Sequence, residues 1–291
     1  MSTLNHTELI LNPDGSIYHL NLLPGDIADN IILVGDPDRV DIISSFFDSV
    51  EIKKKNREFV THTGFYMGAG LTVISSGIGT DNIDIVVSEL DALANIDLKT
   101  RKAKKGHRTL NLIRIGTSGS LQRDIPVDSF ILSEMAIGFD GLLNFYAGRD
   151  EVCDTGFEKS FTEAMDWNKY LAAPYVVASS DLLFKKLSGE GMIPGVTISA
   201  PGFYGPQGRE LRLPVADAQL NRKIEKFRYG KYKITNYEME CSAIYGLSKL
   251  LGHRAIAVCA IIANRSNNSY SSRHEETMSE LIGTVLGKLV D

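Results

Sequence analysis

The sequence predicts an α/β sandwich built around a mixed β-sheet. Short β-branched runs alternate with amphipathic segments along most of the chain, which is the pattern of strands whose sheet is covered by helices. No repeat, low-complexity tract or Pro/Ser-rich linker interrupts the 291 residues. We therefore expect one domain spanning 1–291.

The first half of the chain predicts the start of this sheet. NIILVG indicates a strand that turns at Gly35, after which Asp36 is placed to cap a helix and Pro37 to open it. The segment 58–80 indicates two strands joined by a glycine-bearing turn, and DNIDIVVSELDAL indicates an amphipathic helix. LNLIRIG is then a strand that ends in a glycine-rich turn at 116–119.

The second half continues the alternation. Strands are predicted at DSFILSEMAIGF, PYVVAS, GVTISA and RAIAVCAIIA, and helices at DLLFKKLSG, EMECSAIYGLSKLLG and EETMSELIGTVLGKLV. In open α/β sheets, ligands bind beyond the carboxyl ends of the strands. The glycine turns at 35, 77–79 and 116–119 all follow such ends, so we expect them to meet at one site.

Composition excludes several classes of protein. The net charge is −5, so nothing in the overall balance favours a nucleic-acid or membrane partner, and attraction for an anion requires a local arginine cluster. The basic stretch 98–108, LKTRKAKKGHR, is expected to be a solvated loop.

The cysteines and the N-terminus bear on location. Cys153, Cys241 and Cys259 are far apart and odd in number, which favours free thiols in a reducing cytoplasm over disulfides or a zinc site. The N-terminus lacks a signal peptide's features, and the longest apolar run, AIAVCAIIA, is too short to span a bilayer. A soluble cytoplasmic protein is expected.

Two segments carry arginines beside small residues. In RIGTSGS, a buried Arg114 requires a partner, and a phosphate would satisfy both Arg114 and the Thr117 hydroxyl; a plain tight turn is the alternative. In VGDPDRV, the Gly35 N–H and Arg39 are placed to hold a phosphate; a helix start with a surface arginine is the alternative. Neither segment matches a Walker loop or a dinucleotide fingerprint.

Two further segments fit a sugar and a flat base. NYEMECSA starts a helix with Glu238 and Glu240, which either favour the helix dipole or accept hydrogen bonds from vicinal hydroxyls, as on a ribose. PGFYGPQGRELR is either a surface turn or a base site. In the second case an aromatic ring, Phe203 or Tyr204, stacks on the base, the Gln207 amide reads a carbonyl beside an N–H, and Arg209 favours negative charge on the leaving base.

Taken together, these segments resemble the nucleoside phosphorylase-I family, and within it the uridine phosphorylase branch. The resemblance runs from about residue 17 to the C-terminal helix. The motifs occur in the family's order: VGDPDRV, REF, SSGIG…SEL, RIGTSGSL, GFYGPQGR, NYEMECSA and ANR.

The resemblance implies a three-layer α/β/α sandwich around a central mixed β-sheet and a pentosyltransferase activity: reversible phosphorolysis of uridine to uracil and ribose 1-phosphate. It assigns the phosphate to Gly35, Arg39, Arg57, Arg114 and Thr117, the ribose to His19, Met239 and Glu240, and the base to Phe203, Gln207, Arg209 and Arg265. Of these, Arg39, Arg114, Thr117 and Glu240 are the implied catalytic residues.

Family members are homo-oligomers, either hexamers built as trimers of dimers or dimers. The resemblance therefore implies that Arg57 and His19 reach into a neighbouring subunit's site. Some relatives hold a monovalent cation between subunits. Here Glu58 and Ile78 match that pattern, but Asn82 stands where a serine is usual. We expect no metal and no cofactor beyond phosphate as co-substrate, with the interface cation left open.

Three rival functions remain at this point. A purine nucleoside phosphorylase usually carries an aspartate that protonates the base where this chain has Asn264, and Asn264 cannot supply a proton. A nucleosidase uses water in place of phosphate and has no use for three arginines under the sugar. A nucleoside-binding sensor would bind uridine without turnover.

Overall fold

Apolar β-branched runs form the centre of a mixed sheet. The computed structural model describes residues 3–290. Its strands are β1 Asn30–Val34, β2 Ser49–Asn56, β3 Phe59–Tyr66, β4 Ala69–Ser75, β5 Ile96–Asp97, β6 Lys102–Ala103, β7 Asn111–Ser120, β8 Phe130–Gly138, β9 Tyr175–Ala178, β10 Met192–Ser199, β11 Arg228–Tyr229, β12 Tyr232–Glu238, β13 Arg254–Asn264 and β14 Ser269–Tyr270. All except the β5–β6 pair belong to one twelve-stranded sheet within the described residues.

Helices cover both faces of this sheet. They are α1 Asp38–Ser44, α2 Thr80–Asn95, α3 Arg149–Val152, α4 Thr155–Met165, α5 Asp181–Leu187, α6 Leu220–Lys226, α7 Cys241–Leu250 and α8 His274–Val290. Short 3₁₀ turns lie at Pro24–Asp26, Leu142–Phe145 and Gly205–Gln207.

The alternation of side chains along β1 shows why the fold has three layers. Leu33 packs in a core cluster with residues of α2 and α7, whereas Ile32 and Val34 pack in a second cluster with residues of α1, α5 and α8. Successive residues of a strand point to opposite faces, and here both faces are apolar and buried. The predicted α/β/α sandwich is thereby confirmed.

The sheet contains both parallel and antiparallel neighbours. The order is β11-β12-β10-β8-β13-β7-β1-β4-β3-β2, and β4, β1, β7 and β13 run parallel to their neighbours in that group. The strands β8, β10 and β12 are parallel to one another and antiparallel to β13 and β7. The sheet is therefore mixed, as predicted.

The segment predicted as a turn at 116–119 is instead the second half of β7, so that prediction is wrong. The β1–β7 ladder stops at the pair Leu33 and Arg114 because β1 ends at Val34. Beyond that point β7 continues along β13 and also pairs with β12, where Gly119 lies opposite Tyr237. Two long-range partners hold a small-residue segment in an extended form that its local sequence does not favour.

Two other local predictions need correction. The helix predicted over EMECSAIYGLSKLLG, from Glu238, begins only at Cys241, because Glu238 is the last residue of β12. The segment NREFVTH predicts Arg57 early in a strand, but Arg57 lies instead in the turn between β2 and β3 with φ of 54°. The helix after β1 begins at Asp38, directly after Pro37, and the Asp36 carboxylate accepts the N–H of Asp38 at 3.0 Å.

The basic stretch 98–108 is more than a solvated loop. Arg101 Nε donates to the carbonyl of Leu4 at 3.1 Å, and Lys104 Nζ donates to the carbonyl of Ala94 at 2.8 Å, at the end of α2. Arg108 Nε lies 2.7 Å from a carboxylate oxygen of Asp29. These side chains tie the loop to the N-terminal segment and the sheet.

Within residues 3–290, none of the helices combines the length and apolar composition that crossing a bilayer requires.

Replacing Gly64 by alanine tests the close pairing of β2 and β3. A Cβ at Gly64 would lie 1.9 Å from the Ser49 carbonyl oxygen, whereas one at Gly70 would meet nothing nearer than 3.7 Å. We expect Gly64→Ala to lower the free energy of unfolding by about 1–3 kcal/mol, the usual cost of overpacking. Urea denaturation measures this, with Gly70→Ala as the matched control. Equal stability of the two variants would contradict the packing described.

Candidate active site

A cavity of about 550 Å³ opens where the ends of β1, β7 and β12 converge. It is lined by most of the residues singled out from the sequence: Gly35, Arg39, Arg114, Thr117, Phe203, Gln207, Arg209, Met239 and Glu240. The glycine segments 35 and 77–79 and the end of β7 therefore do meet at one place, as predicted.

The guanidinium of Arg114 lies between two buried carboxylates. Its Nε is 3.2 Å from Glu238 Oε2, and its Nη2 contacts Glu240 Oε2. Its Nη1 is buried and has no hydrogen-bond partner in the described chain. Burial by itself lowers the pKa of Arg114, but Glu240 and Glu238 raise it above the ordinary value. Arg114 is therefore a permanent cation with one donor group unused beside the cavity.

Gly116 makes room for this guanidinium. Arg114 and Gly116 lie on the same face of β7, and the Arg114 side chain folds back over the glycine. A Cβ at 116 would lie 3.3 Å from Arg114 Nη2 and 3.4 Å from Cζ. The glycine in RIGTSGS thus serves the position of an arginine rather than a turn.

Arg39 brings a second cation to the same cavity. Burial lowers its pKa, and the charge of Arg114 lowers it further. Among the described residues its guanidinium makes no ion pair or hydrogen bond within the chain. Two arginines that repel each other across a cavity favour an anion between them. Thr117 adds a hydroxyl and Gly35 a backbone N–H to the same wall.

Glu238 holds this wall together through hydrogen bonds that engage both of its carboxylate oxygens. Its carboxylate accepts the backbone N–H of Glu240 at 2.8 Å and of Cys241 at 3.0 Å, and the Ser199 hydroxyl at 2.5 Å. Together with Arg114 Nε, these donors occupy both of its oxygens. The sequence showed Glu238 only as one of two acids near a helix start, and its role as the acceptor that joins β7, β10 and α7 was missed.

Glu240 is the carboxylate left to face a ligand. One of its oxygens accepts the N–H of Gly79 at 2.7 Å, in the loop before α2. Burial raises the pKa of Glu240 to about 7, with Arg114 opposing and Glu238 reinforcing the rise. Met239 precedes it at the cavity wall. A carboxylate so placed is suited to accept hydrogen bonds from sugar hydroxyls.

The loop after β10 forms the other end of the cavity. Arg209 Nη1 donates to Gln207 Oε1 and to the Phe203 carbonyl, both at 2.5 Å, and its guanidinium carbon lies 3.7 Å from the centre of the Phe203 ring. Because Arg209 occupies Gln207 Oε1, the Gln207 amide presents its NH₂ group to the cavity. Burial and Arg265 lower the pKa of Arg209 to about 10, so it stays charged at neutral pH.

Arg265 stands behind this end of the cavity rather than in its wall. Its Nη1 donates to the Gln207 backbone carbonyl, and its guanidinium carbon lies 5.9 Å from the centre of the Tyr237 ring. Tyr237 itself lines the cavity and was not anticipated. Its position in β12 opposite Gly119 depends on a strand pairing that no local pattern reveals.

His19 and Arg57 do not line the cavity of their own chain. They lie side by side: Arg57 is 5.5 Å from the Tyr18 ring centre, and Asn56 Nδ2 donates to the His19 carbonyl at 2.8 Å. His19 Nδ1 is 2.6 Å from Glu89 Oε1, which leaves Nε2 for another partner. Their predicted action on a neighbouring subunit stays a prediction.

Asn264, at the position where purine nucleoside phosphorylases usually carry an aspartate, is hydrogen-bonded within the protein. Its Nδ2 donates to the carbonyls of Gln122 and Ile125 at 2.8 and 2.7 Å, and its Oδ1 accepts the N–H of Ser266 at 2.9 Å. It is buried and does not line the cavity. It therefore offers no group to a base.

One cluster of metal-ligand types lies elsewhere in the described chain. Asp91, His107 and His253 bring ligand atoms within 4.8 Å of one another. However, the Leu110 N–H points at His253 Nδ1 at 3.2 Å, while Nε2 lies 3.1 Å from Asp91. A neutral ring that accepts at Nδ1 carries its proton on Nε2 and donates it to Asp91. These contacts hold the starts of β7 and β13 together.

The fold and this cavity define an α/β protein in which two arginines, a buried carboxylate and an aromatic loop line one cavity. Residues 29–290 match the phosphorylase superfamily, and the chain belongs to that family. The uridine phosphorylase of Thermococcus kodakarensis is 30% identical over 265 residues, which cover 90% of this chain and 83% of that protein.

Other relatives and a solved structure agree with this assignment. The uridine phosphorylase of Haemophilus influenzae is 28% identical and covers 86% of this chain and 87% of its own. A DeoD-type purine nucleoside phosphorylase of Listeria welshimeri is 24% identical, with 94% and 95% covered. The crystal structure of a Trypanosoma brucei nucleoside phosphorylase, described as showing uridine phosphorylase activity, superposes with a TM-score of 0.83 at 27% identity, covering 97% of this chain and 99% of that one.

Gly116→Ala tests the anion site without removing a charged group. The added methyl would press on the Arg114 guanidinium and displace its unpartnered Nη1. We expect inorganic phosphate to bind about fivefold more weakly, the loss of about one hydrogen bond. Calorimetric titration with phosphate measures this. Gly283→Ala, whose Cβ would meet nothing nearer than 3.9 Å, is the control, and unchanged affinity in Gly116→Ala would contradict the assignment.

The raised pKa of Glu240 predicts that the stability of the protein depends on pH. Its pKa is raised from 4.5 to about 7 in the folded chain, so folding retains a proton that the unfolded chain has lost between these values. The free energy of unfolding should fall as the pH rises from 4.5 to 7, by about 1–3 kcal/mol. Glu240→Gln should lack this part of the slope. Urea titrations of both proteins across this range measure it, and parallel curves would rule it out.

Proposed function

We propose that this chain catalyses the reversible phosphorolysis of uridine, forming uracil and ribose 1-phosphate. The observation that carries the proposal is the Arg114 guanidinium, paired with Glu238 and Glu240 and left with an unpartnered Nη1 beside Arg39. A phosphate and a ribose hydroxyl are the partners that this combination of cations and the cavity-lining Glu240 carboxylate suits best. The uridine phosphorylases among its relatives support the same choice.

The geometry supports a mechanism that depends on positioning and charge. Arg39, Arg114 and Thr117 hold phosphate, and Glu240 holds the sugar hydroxyls next to it. Bringing the nucleophile and the sugar carbon together in this way is worth roughly 7–11 kcal/mol in favourable cases. The phosphate dianion attacks C1′ as the C1′–N1 bond breaks, and the bond's electron pair leaves with the base.

The base end of the cavity stabilises the leaving group. Gln207 presents its NH₂ group and Arg209 its positive charge, so negative charge that develops on uracil meets two fixed donors. Phe203, half-exposed at the cavity mouth and stacked on Arg209, supplies an aromatic face to the base. This end offers no carboxylic acid to protonate a purine, since Asn264 is engaged elsewhere.

The proposal includes a homo-oligomer, a dimer or a hexamer, with active sites shared between subunits. In a single chain the cavity is lined by Arg39 and Arg114 but not by Arg57 or His19, which form a separate patch beside Tyr18. Placing this patch on a neighbour's cavity would add a third cation and a hydrogen-bonding imidazole. A monovalent cation held through Glu58 and Ile78 at the same contact remains an open part of this proposal.

A cytoplasmic location completes the proposal. The three cysteines Cys153, Cys241 and Cys259 are free thiols, which is the state that a reducing compartment maintains.

The test is uracil release from uridine with and without inorganic phosphate, with inosine in parallel. We expect release from uridine only when phosphate is present, because Arg39 and Arg114 create a site for the anion, and little release of hypoxanthine from inosine. Release without phosphate would indicate a nucleosidase. A preference for inosine would indicate a purine enzyme, and binding without release would indicate a sensor. Each of these three results would overturn the proposal.

A further inference from the structure

The backbone carbonyl of Gln207 accepts hydrogen bonds from two side chains. Arg265 Nη1 donates to it from one side, and Asn221 Nδ2 donates to it from α6 at 3.1 Å. Gln207 is also the last residue of a 3₁₀ turn, and its N–H donates to the Tyr204 carbonyl at 3.0 Å. Its side chain is almost fully buried. The direction in which its amide points is therefore set by its backbone contacts.

Asn221 is itself held in one orientation. The Tyr237 hydroxyl donates to Asn221 Oδ1 at 3.2 Å, while a carbonyl oxygen, which only accepts, lies on the Nδ2 side. The amide is thus used as a donor toward Gln207 and as an acceptor toward Tyr237, and an asparagine supplies both on one side chain.

The space for this contact depends on Gly208. The residue has φ of +68°, and a Cβ there would lie 2.4 Å from Asn221 Nδ2. A glycine at this position therefore allows α6 to approach the loop closely.

The helix that carries Asn221 is anchored. Ile224 of α6 is fully buried in a cluster with Phe157 and Phe161 of α4. Lys223 Nζ donates to the Met165 carbonyl at 2.9 Å, at the end of α4. Asn221 therefore projects from a fixed support, whereas the loop that it holds, 201–217, is mostly irregular.

We infer that Asn221 is a positioning residue for base recognition: by holding the Gln207 carbonyl it directs the Gln207 amide and the attached Arg209 at the nucleobase. Asn221 does not line the cavity and acts through Gln207. Within the described residues its side-chain hydrogen bonds are to Gln207 and Tyr237 and not to the residues proposed to hold phosphate, so we expect its influence to fall on uridine. This inference rests on the proposed function, which makes that end of the cavity the base site.

The test separates the Michaelis constants of the two substrates in Asn221→Ala and Asn221→Asp. Losing one hydrogen bond that positions Gln207 should raise the KM for uridine about three- to tenfold, with the KM for phosphate unchanged within about twofold. Asn221→Asp keeps the side-chain shape and the acceptor for the Tyr237 hydroxyl. Its second carboxylate oxygen would face the Gln207 carbonyl oxygen in place of a donor, so its KM for uridine should rise at least as much as that of Asn221→Ala. A variant that only lowered the folded fraction would reduce kcat and leave both KM values in place.

Arg222→Ala is the matched control on the same helix. Arg222 lies next to Asn221 in α6, and its one side-chain hydrogen bond within residues 3–290 is to Gln219 Oε1 at 3.4 Å, so both KM values should match the unaltered protein. The inference is overturned if Asn221→Ala leaves the uridine KM unchanged, if both KM values rise together, or if Asn221→Asp behaves as the unaltered protein. Failure of the unaltered protein to cleave uridine with phosphate would instead overturn the proposed function.

Discussion

The site depends on one guanidinium shared by two buried carboxylates. Burying a charge is costly unless it is paired, and Arg114 meets that requirement through Glu238 and Glu240. The pairing leaves one donor group of the arginine, Nη1, without a protein partner. An excess donor on a fixed, permanently charged group is what an anion site needs, since the arrangement exists before the ligand arrives.

Much of the surrounding architecture follows from holding that ion group in place. The end of β1 at Val34 opens the space into which Arg114 turns, and Gly116 clears the way for its side chain. Glu238 then joins this arginine to the start of α7 and to the Ser199 hydroxyl at the end of β10. Strands and a helix from distant parts of the chain are connected through one carboxylate, at the end of the cavity where we propose that phosphate and sugar bind.

The base half is built differently. It is a loop of glycine, proline and aromatic residues. The two side chains proposed to contact the base, Gln207 and Arg209, are hydrogen-bonded to each other. Arg265 and Asn221, which lie outside the loop, donate to the Gln207 backbone carbonyl. Loops tolerate variation better than sheet ends, which is consistent with relatives named for pyrimidine and for purine nucleosides at comparable coverage. In the proposed reaction, the sheet ends hold the sugar and the phosphate, and the loop selects the base.

The sequence predicted the layers, the main strands and helices, and most of the residues that line the cavity. These depend on hydrophobic period and on small residues beside arginines, which are local signals. What depends on pairing between distant strands was not predictable: 116–120 continue as a strand because β12 and β13 hold them. The same is true of Tyr237 at the cavity wall. Glu238 was visible only as an acid near a helix, because its four hydrogen-bond donors come from three separate segments. Asn221 carried no signal, since a lone polar residue at the start of a helix has many ordinary uses.

The measurement that tests the central claim most directly is a crystal structure of the protein with inorganic phosphate bound. The account predicts a phosphate oxygen within hydrogen-bond distance of Arg114 Nη1, with Arg39 and Thr117 as further contacts and the Glu238 contact to Arg114 Nε retained. Phosphate bound away from Arg114, or an Arg114 side chain that leaves Glu238 to reach it, would contradict the account.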